Sequence, residues 1–414
     1  MNNIKENALL AFRNAGAKSL ISVDDSALIF QSWDDLKFNL EQLRAIFDHP
    51  NAIHAIAIKT NPHPSVLAKI ISWGFSLEAA SMEEVEMAIK AGASPNKIVF
   101  DSPVKRRSEI EKCNNELHGL ILNANSLEEL NRMPDKPNFT LGIRINPSVE
   151  MDSPEIYSVS NNESKFGVPI LEKEAVLNAI LSHPIQQLHI HAGSQMKDLT
   201  KAVFAVRELL DLAIEANILL EKKGLERRIL TLDIGGGLAA ENYGCVEKMS
   251  EYVKQLKEKC PELWDFELVT EFGQWCHKNS GFIFSEIEYT FKRGDKQIAF
   301  IHLGADYFMR DAYTLARNFD IIALNNEGEE NNSDEKYLHD IAGPLCFAGD
   351  YVLKAVNLPL LKENDWLCIL GTGANTLGLW SRHCSRTIPK VIGFSSEKNE
   401  IEILSERMNP YIYQ

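Results

Sequence analysis

Apolar residues in this chain recur in two alternating rhythms. Short runs rich in β-branched residues are followed by longer segments whose apolar positions repeat every three or four residues, the periods of strands and helices. The runs Ala55 to Lys59, Ser76 to Ala79, Lys97 to Phe100, Gly119 to Leu122, Phe139 to Ile145, Gln187 to His191, Thr231 to Ile234 and Phe266 to Glu271 read as strands. Helix-period stretches such as Ser65 to Trp73, Met82 to Ala91 and Lys201 to Lys223 fill the gaps. Such alternation predicts parallel β/α units, and eight of them predict a closed (β/α)8 barrel over residues 33–280.

Both ends of the chain have a different texture. After about residue 281, Gly281 to Tyr289, Lys296 to Ile301 and Trp366 to Leu370 read as strands joined by short links, and long helices become scarce. Near the start, one short helical stretch precedes Ser19-Leu20-Ile21-Ser22-Val23, which reads as a strand without a local partner. An isolated strand must pair elsewhere, so residues 1–32 are expected to complete a mostly β domain with residues 281–414. Asn325 to Glu335 reads as a solvated acidic loop, and Ser148 to Ser164, after the fifth strand, as a mobile cover.

The strand at Ala55-Ile56-Ala57-Ile58-Lys59 ends in a lysine, followed by the turn Thr60-Asn61-Pro62. An ammonium resists desolvation unless it is paired or deprotonated. Lys59 is therefore either a loop lysine at the surface or an amine kept for chemistry with a carbonyl. At or just beyond the other strand ends stand Glu78, Asp101, Asn123, Arg144, His191, Gly235-Gly236-Gly237 and Glu271. Polar groups gathered at one rim of an apolar cylinder mark the active end of a barrel. The glycine run either makes a tight turn or presents bare amides to a phosphate. His189 and His191 share one strand face and suit a metal, a stacked ring or a packed core. A lysine, a phosphate cradle and a strand-end carboxylate are together the parts that pyridoxal phosphate needs.

Composition narrows the partners. The 414 residues exceed what one core usually accommodates, and 45% hydrophobic with 24% charged residues is ordinary for a folded protein. Forty-three basic against 58 acidic side chains give a net charge of -15, which argues against nucleic acid and for small-molecule chemistry. No apolar run follows a basic start and no stretch reaches membrane-spanning length, so a cytoplasmic protein without a membrane partner is expected. Seven scattered cysteines with no C-x-x-C pair fit reduced thiols.

Seven motifs then stand in a telling order: Ala57-Ile58-Lys59-Thr60-Asn61-Pro62, Leu77-Glu78-Ala79-Ala80-Ser81, Arg144-Ile145-Asn146-Pro147, Ser164-Lys165-Phe166-Gly167, His189-Ile190-His191-Ala192-Gly193-Ser194-Gln195, Asp233-Ile234-Gly235-Gly236-Gly237 and Glu271-Phe272-Gly273-Gln274. The set resembles the fold-type III pyridoxal-phosphate-dependent decarboxylases, above all the diaminopimelate decarboxylases, with ornithine and carboxynorspermidine decarboxylases as cousins. The resemblance implies a homodimer with two shared active sites and an amino-acid substrate. It makes Lys59 the Schiff-base lysine and Glu271 the partner of the pyridine nitrogen. His191 would lie against the ring, Glu78 and Arg144 beside it, and Ser194, Gly235, Gly236, Gly237, Gly273 and Gln274 around the phosphate. Within Gly343-Pro344-Leu345-Cys346-Phe347-Ala348-Gly349-Asp350, Cys346 and Asp350 match the pair donated across the dimer, Cys346 returning a proton after carbon dioxide leaves. Arg310 stands where diaminopimelate decarboxylases grip a distal carboxylate.

The chain also departs from that pattern. The family's Glu-Pro-Gly-Arg reads Glu271-Phe272-Gly273-Gln274, the acidic residue after the cysteine is Phe347, and the tyrosine of a late Gly-Ala-Tyr motif, beside the cofactor, is Asn375. His302 replaces an aspartate. A glutamine and a phenylalanine cannot bind a doubly charged substrate as arginine and glutamate do, so an amino acid other than diaminopimelate is expected. Two alternatives stay open: a pyridoxal-phosphate-dependent racemase or epimerase, and a silent, decarboxylase-like binding protein.

Overall fold

The computed structural model describes residues 2–149, 160–161, 163–240, 245–313 and 319–409. Most of the expected cover loop, residues 150–159 and 162, lies outside them. The chain divides into two compact units, Asn39–Cys276 and the combination of Met1–Phe38 with His277–Gln414.

Local signals explain how the first unit alternates. Its helices start where the sequence supplies an N-cap: the Ser81 hydroxyl accepts from Glu84 N–H at 3.1 Å, Ser126 from Glu129 N–H at 3.2 Å, and Asp198 from Thr200 N–H at 2.9 Å. Pro64 occupies the first turn of another, where no amide is needed. Between the helices run short, buried strands: β2 (Ala52–Ala57), β3 (Ser76–Ala79), β4 (Ile98–Phe100), β5 (Ile121–Ala124), β6 (Thr140–Asn146), β8 (Ile185–Ile190), β9 (Thr231–Asp233) and β10 (Glu267–Thr270), in a numbering where β1 (Ala27–Ser32) belongs to the other unit and β7 (Val168–Pro169) is a two-residue addition to β6. All are parallel, and the pairings β5 with β6 and β10 with β2 close the ring into the expected eight-stranded barrel. Ala55, Val99, Ile121 and Val269 cluster as an apolar plug. A polar layer adjoins them, with Gln187 Nε2 donating to Asn123 Oδ1 at 2.9 Å. A Cβ on Gly142 would come within 1.9 Å of that oxygen, so glycine is what leaves room for Asn123.

The second unit is mostly β. Strands β11 (Gly281–Arg293), β12 (Lys296–Ile301), β13 (Ile321–Leu324), β14 (Tyr337–Ala342), β15 (Tyr351–Leu358), β16 (Trp366–Leu370), β17 (Lys390–Ser395) and β18 (Glu400–Ser405) join β1 in one sheet. β1 lies antiparallel to β11 and parallel to β17, so a strand from the beginning of the chain does complete this sheet.

That strand is not the expected one. Residues Ser19 to Val23 form no strand, and the helix before them is long, Asn2–Ala17. Val23 is 99% exposed, and Ser22 turns the chain by donating its N–H and hydroxyl to Asp25 Oδ2 at 2.8 and 2.7 Å. The pairing strand is Ala27–Ser32, buried along its whole length. A second difference concerns Lys59: β2 stops at Ala57, and Ile58–Thr60 form a 3-10 turn in which the Thr60 hydroxyl donates to the Ala57 carbonyl at 2.6 Å. The lysine thus stands on a turn above the strand end.

Candidate active site

Six of the rim residues, Lys59, Glu78, Asp101, Arg144, His191 and Glu271, meet in the mouth of the barrel, with the glycine run among them. The Lys59 ammonium donates to Glu78 Oε2 at 2.6 Å. Its side chain keeps 47% of its exposure, as an amine that receives an incoming molecule must. Burial at its tip would lower its pKa, but the carboxylates of Glu78 and Glu271 outweigh that and hold it raised. Glu78 is fully buried, and desolvation pushes it up to about 7, against the pull of Lys59 and with the repulsion of Glu271 and Asp101.

Glu271 stands just beyond β10. Its Oε2 lies 3.4 Å from His191 Nδ1 and its Oε1 3.8 Å from His189 Nε2. Burial acts to raise its pKa, yet the two histidines hold it below the ordinary carboxylate value. Burial itself lowers His191. Arg144, on β6, places its guanidinium 4.6 Å from the centre of the Phe166 ring and 3.5 Å from Asp101 Oδ2.

The glycine run threads between these groups. Gly235 has φ +63°, and a Cβ there would come 2.3 Å from the Ile190 carbonyl and 3.1 Å from His191 Nδ1. A Cβ on Gly236 would come 2.3 Å from the Glu271 carbonyl, and one on Gly237, at φ +93°, 1.8 Å from that of Gly193. The run is therefore required by close packing, whatever it binds. Gly235 N–H is spent on Asp233 Oδ1 at 2.9 Å, whereas those of Gly236 and Gly237 have no acceptor among the described residues. Gly273 N–H closes a turn on the Glu271 carbonyl at 2.8 Å, so it is unavailable to a phosphate; Gln274 is buried beside it, and Ser194 is half-buried beyond β8.

The remaining candidates belong to the second unit. Cys346 is exposed. Phe347 stacks on Tyr313, ring centres 4.8 Å apart and planes 17° from parallel. Asp350 is buried, and its two oxygens accept from Ala305 N–H at 2.5 Å and Leu345 N–H at 2.6 Å, so in this chain it ties its own loop to the turn at Ala305. Arg310 is buried on the short helix Met309–Tyr313, and Asn375 holds φ +58°, a left-handed conformation that asparagine tolerates.

The sequence pattern left three members of the mouth without a role: His189, Asp101 and Asp233. All are buried, with His189 Nδ1 3.1 Å from Asp101 Oδ1. The signal was present, since His189 on β8 stands two positions before His191, just beyond that strand, and Asp101 stands at a strand end.

A metal or a planar ring suits such a mouth on distances alone, because donor atoms of His189, His191 and Glu271 all lie within 4.8 Å of one another. The residues also fit pyridoxal phosphate. Glu271 Oε1 is a buried acceptor with no hydrogen-bond partner, suited to a ring N–H, and the two unspent glycine amides suit a phosphate.

Comparison with known proteins decides between them. Residues 34–277 match the family described as pyridoxal-dependent decarboxylase, pyridoxal binding domain. The diaminopimelate decarboxylase of Helicobacter pylori is 27% identical over 388 residues, 91% of each chain. That of Vibrio cholerae is 28% identical over 374 residues, 88% of this chain and 85% of the other. The fold is that of the H. pylori diaminopimelate decarboxylase complexed with L-lysine, with a TM-score of 0.81, 23% identity and coverage of 95% and 96%. The arginine decarboxylase of Paramecium bursaria Chlorella virus shares it with a TM-score of 0.77, 18% identity and coverage of 94% and 100%. Among the described residues no helix is long and apolar enough to cross a membrane. With its pyridoxal-binding barrel matched over more than half its length, the chain belongs to the pyridoxal-dependent decarboxylases, enzymes that remove a carboxylate from an amino acid with pyridoxal phosphate as cofactor.

Proposed function

We propose that this decarboxylase acts on an amino acid other than diaminopimelate, in the cytoplasm, as a homodimer with shared active sites. When bound, pyridoxal phosphate supplies the sink for the electron pair that departing carbon dioxide leaves behind. Lys59 anchors the cofactor, and Glu78, 2.6 Å from its Nζ, holds the ammonium and takes part in moving its proton. Glu271, 3.4 Å from His191 Nδ1, would offer its charge to the ring nitrogen, and His191 and Arg144 are the side chains that would hold the ring. Ser194, Gly236, Gly237, Gln274 and Asn375 would hold the phosphate, while Gly235, whose N–H is spent on Asp233, would shape the run beside them. Cys346, an exposed thiol, is donated to the other protomer's site and protonates the substrate carbon. Arg310 and Phe347 face the far end of the substrate.

The observation that carries the substrate reading is the aromatic pair Phe347 and Tyr313, a flat apolar surface beside Cys346 where the family offers a carboxylate. Together with the uncharged Gln274, it removes one anionic and one cationic contact, and neither loss favours a substrate charged at both ends. The relatives are named for diaminopimelate, yet the same fold serves an arginine decarboxylase, so the barrel does not fix the substrate.

The test is carbon dioxide release from amino acids graded by the charge at their far end, with diaminopimelate included. The highest kcat/KM is expected for a substrate with at most one distal charge. Diaminopimelate as the best substrate would overturn the reading.

A further inference from the structure

We infer that Asp101 and His189 form a positioning pair that fixes Glu271 and Arg144 at the cofactor ring from behind. One buried carboxylate ties together side chains from different strands. Asp101, just past β4, has Oδ1 3.1 Å from His189 Nδ1 on β8 and Oδ2 3.5 Å from Arg144 Nη1 on β6. The other histidine nitrogen lies 3.8 Å from Glu271 Oε1 beyond β10, within ion-pair reach but beyond a hydrogen bond. Four strand ends of the barrel are thereby linked through one histidine and one aspartate, and all four side chains are buried.

Charge gives the arrangement its purpose. Glu78, Asp101, Asp233 and Glu271 are four buried carboxylates in one mouth. His189, with no exposed surface, faces three of them: Asp101, Asp233 and Glu271. Burial would keep its imidazole neutral, but those carboxylates push it up to about 9, so at neutral pH it is a cation with a donor on each nitrogen. Further cations are Lys59, on Glu78, Arg144, on Asp101, and buried Lys105, which is held by the carbonyls of Ser102 and Asn123 and by Glu129 and also acts on Asp101. Asp233 stays well above the ordinary carboxylate range, through burial and then Glu271, and adds little charge of its own. Without the imidazolium, only His191 would oppose burial and Asp101, which both favour protonating Glu271. A protonated Glu271 cannot stabilise a protonated ring nitrogen.

The inference rests on the proposal that Glu271 partners the ring nitrogen, and the experiment separates the two. Holoenzymes carrying His189→Gln, Asp101→Asn, both changes, or Glu271→Gln are titrated with pH while the absorbance and fluorescence of the bound cofactor are followed. Cofactor affinity is measured alongside. Glu271→Gln is expected to shift the ring-protonation midpoint down, and His189→Gln to shift it the same way by about one pH unit. Cofactor affinity should weaken about 10-fold, and the double variant should be no worse than the poorer single one, as for residues acting as a unit. If Glu271→Gln moves the midpoint and His189→Gln does not, the positioning pair is overturned while the role of Glu271 stands. If neither moves it, the role of Glu271 is overturned and the pair falls with it. Folding of the variants is not required for one further check: 15N NMR of histidine-labelled wild-type holoenzyme should show a ring still doubly protonated at pH 8. No such ring would overturn the inference.

Discussion

Lys59 and Glu78 form an ion pair at 2.6 Å in which the ammonium reaches toward the open mouth and the carboxylate is fully buried. The asymmetry gives the pair its direction: the lysine is free to leave its partner, while the glutamate is fixed in place to receive it back.

Replacing Lys59 with alanine should abolish the absorbance band of lysine-bound cofactor, and borohydride should no longer attach the cofactor to the protein. Mass spectrometry of the reduced wild type should place the cofactor on Lys59. Retained absorbance and unchanged turnover in the variant would remove the lysine from its assigned role.

Glu78→Gln should make Lys59 easier to deprotonate, because it deletes the largest charge that holds the ammonium while leaving the burial that opposes it. Capture of pyridoxal phosphate by cofactor-free protein requires the neutral amine. Stopped-flow measurement should therefore show the pH profile of capture moved to lower pH. A profile unmoved or moved upward would mean that Glu78 does not hold the Lys59 ammonium.

Stability should fall on the acid side partly through His54. This buried imidazole, 2.8 Å from the Thr270 hydroxyl, is lowered to about 4 by burial and then by Arg44. The folded protein binds that proton less readily than the unfolded chain does, so the contribution is whole above pH 6.5 and is lost as pH falls toward about 4. The span corresponds to roughly 3 kcal/mol. His54→Asn should flatten that limb of a denaturation-midpoint profile; an unchanged slope would assign the acid loss elsewhere.

Gly237→Ala should damage the barrel itself, since the new methyl would meet the Gly193 carbonyl at 1.8 Å on a backbone with φ +93°. A left-handed alanine and an overpacked contact together cost roughly 2–4 kcal/mol. Thermal denaturation should show the loss before any cofactor is added, which separates packing from phosphate binding.

Asp350→Ala and Cys346→Ala should part company. The first strands the buried amides of Ala305 and Leu345, at roughly 1–3 kcal/mol each, and should lower the melting temperature. The second removes an exposed thiol and should leave stability and cofactor binding intact while slowing turnover or diverting its product. Equal stability losses would put both residues in the scaffold.

The barrel was legible because parallel strands buried on both faces need continuous apolar runs, and the helices between them need a different period. The rim was legible because a barrel strand can end in a polar residue only where the cylinder opens, as at Glu78, Arg144 and Glu271. At the N-terminus the same reasoning misplaced a strand by several residues. Leu20 and Ile21 are apolar without being strand, since they pack against the core from a loop, whereas Ala27–Ser32 is recognised as strand only by its partners β11 and β17.

The sequence by itself determined which side chains stand at the strand ends, and hence the cofactor chemistry, because local periodicity dictates where each strand stops. Tertiary structure alone decided who touches whom across the barrel. Asp101 and His189 are far apart in the chain and meet at 3.1 Å, and Asp350 spends its charge on neighbouring amides. Such pairings depend on the closure of the ring and on loop paths, which bring together positions that no local pattern relates.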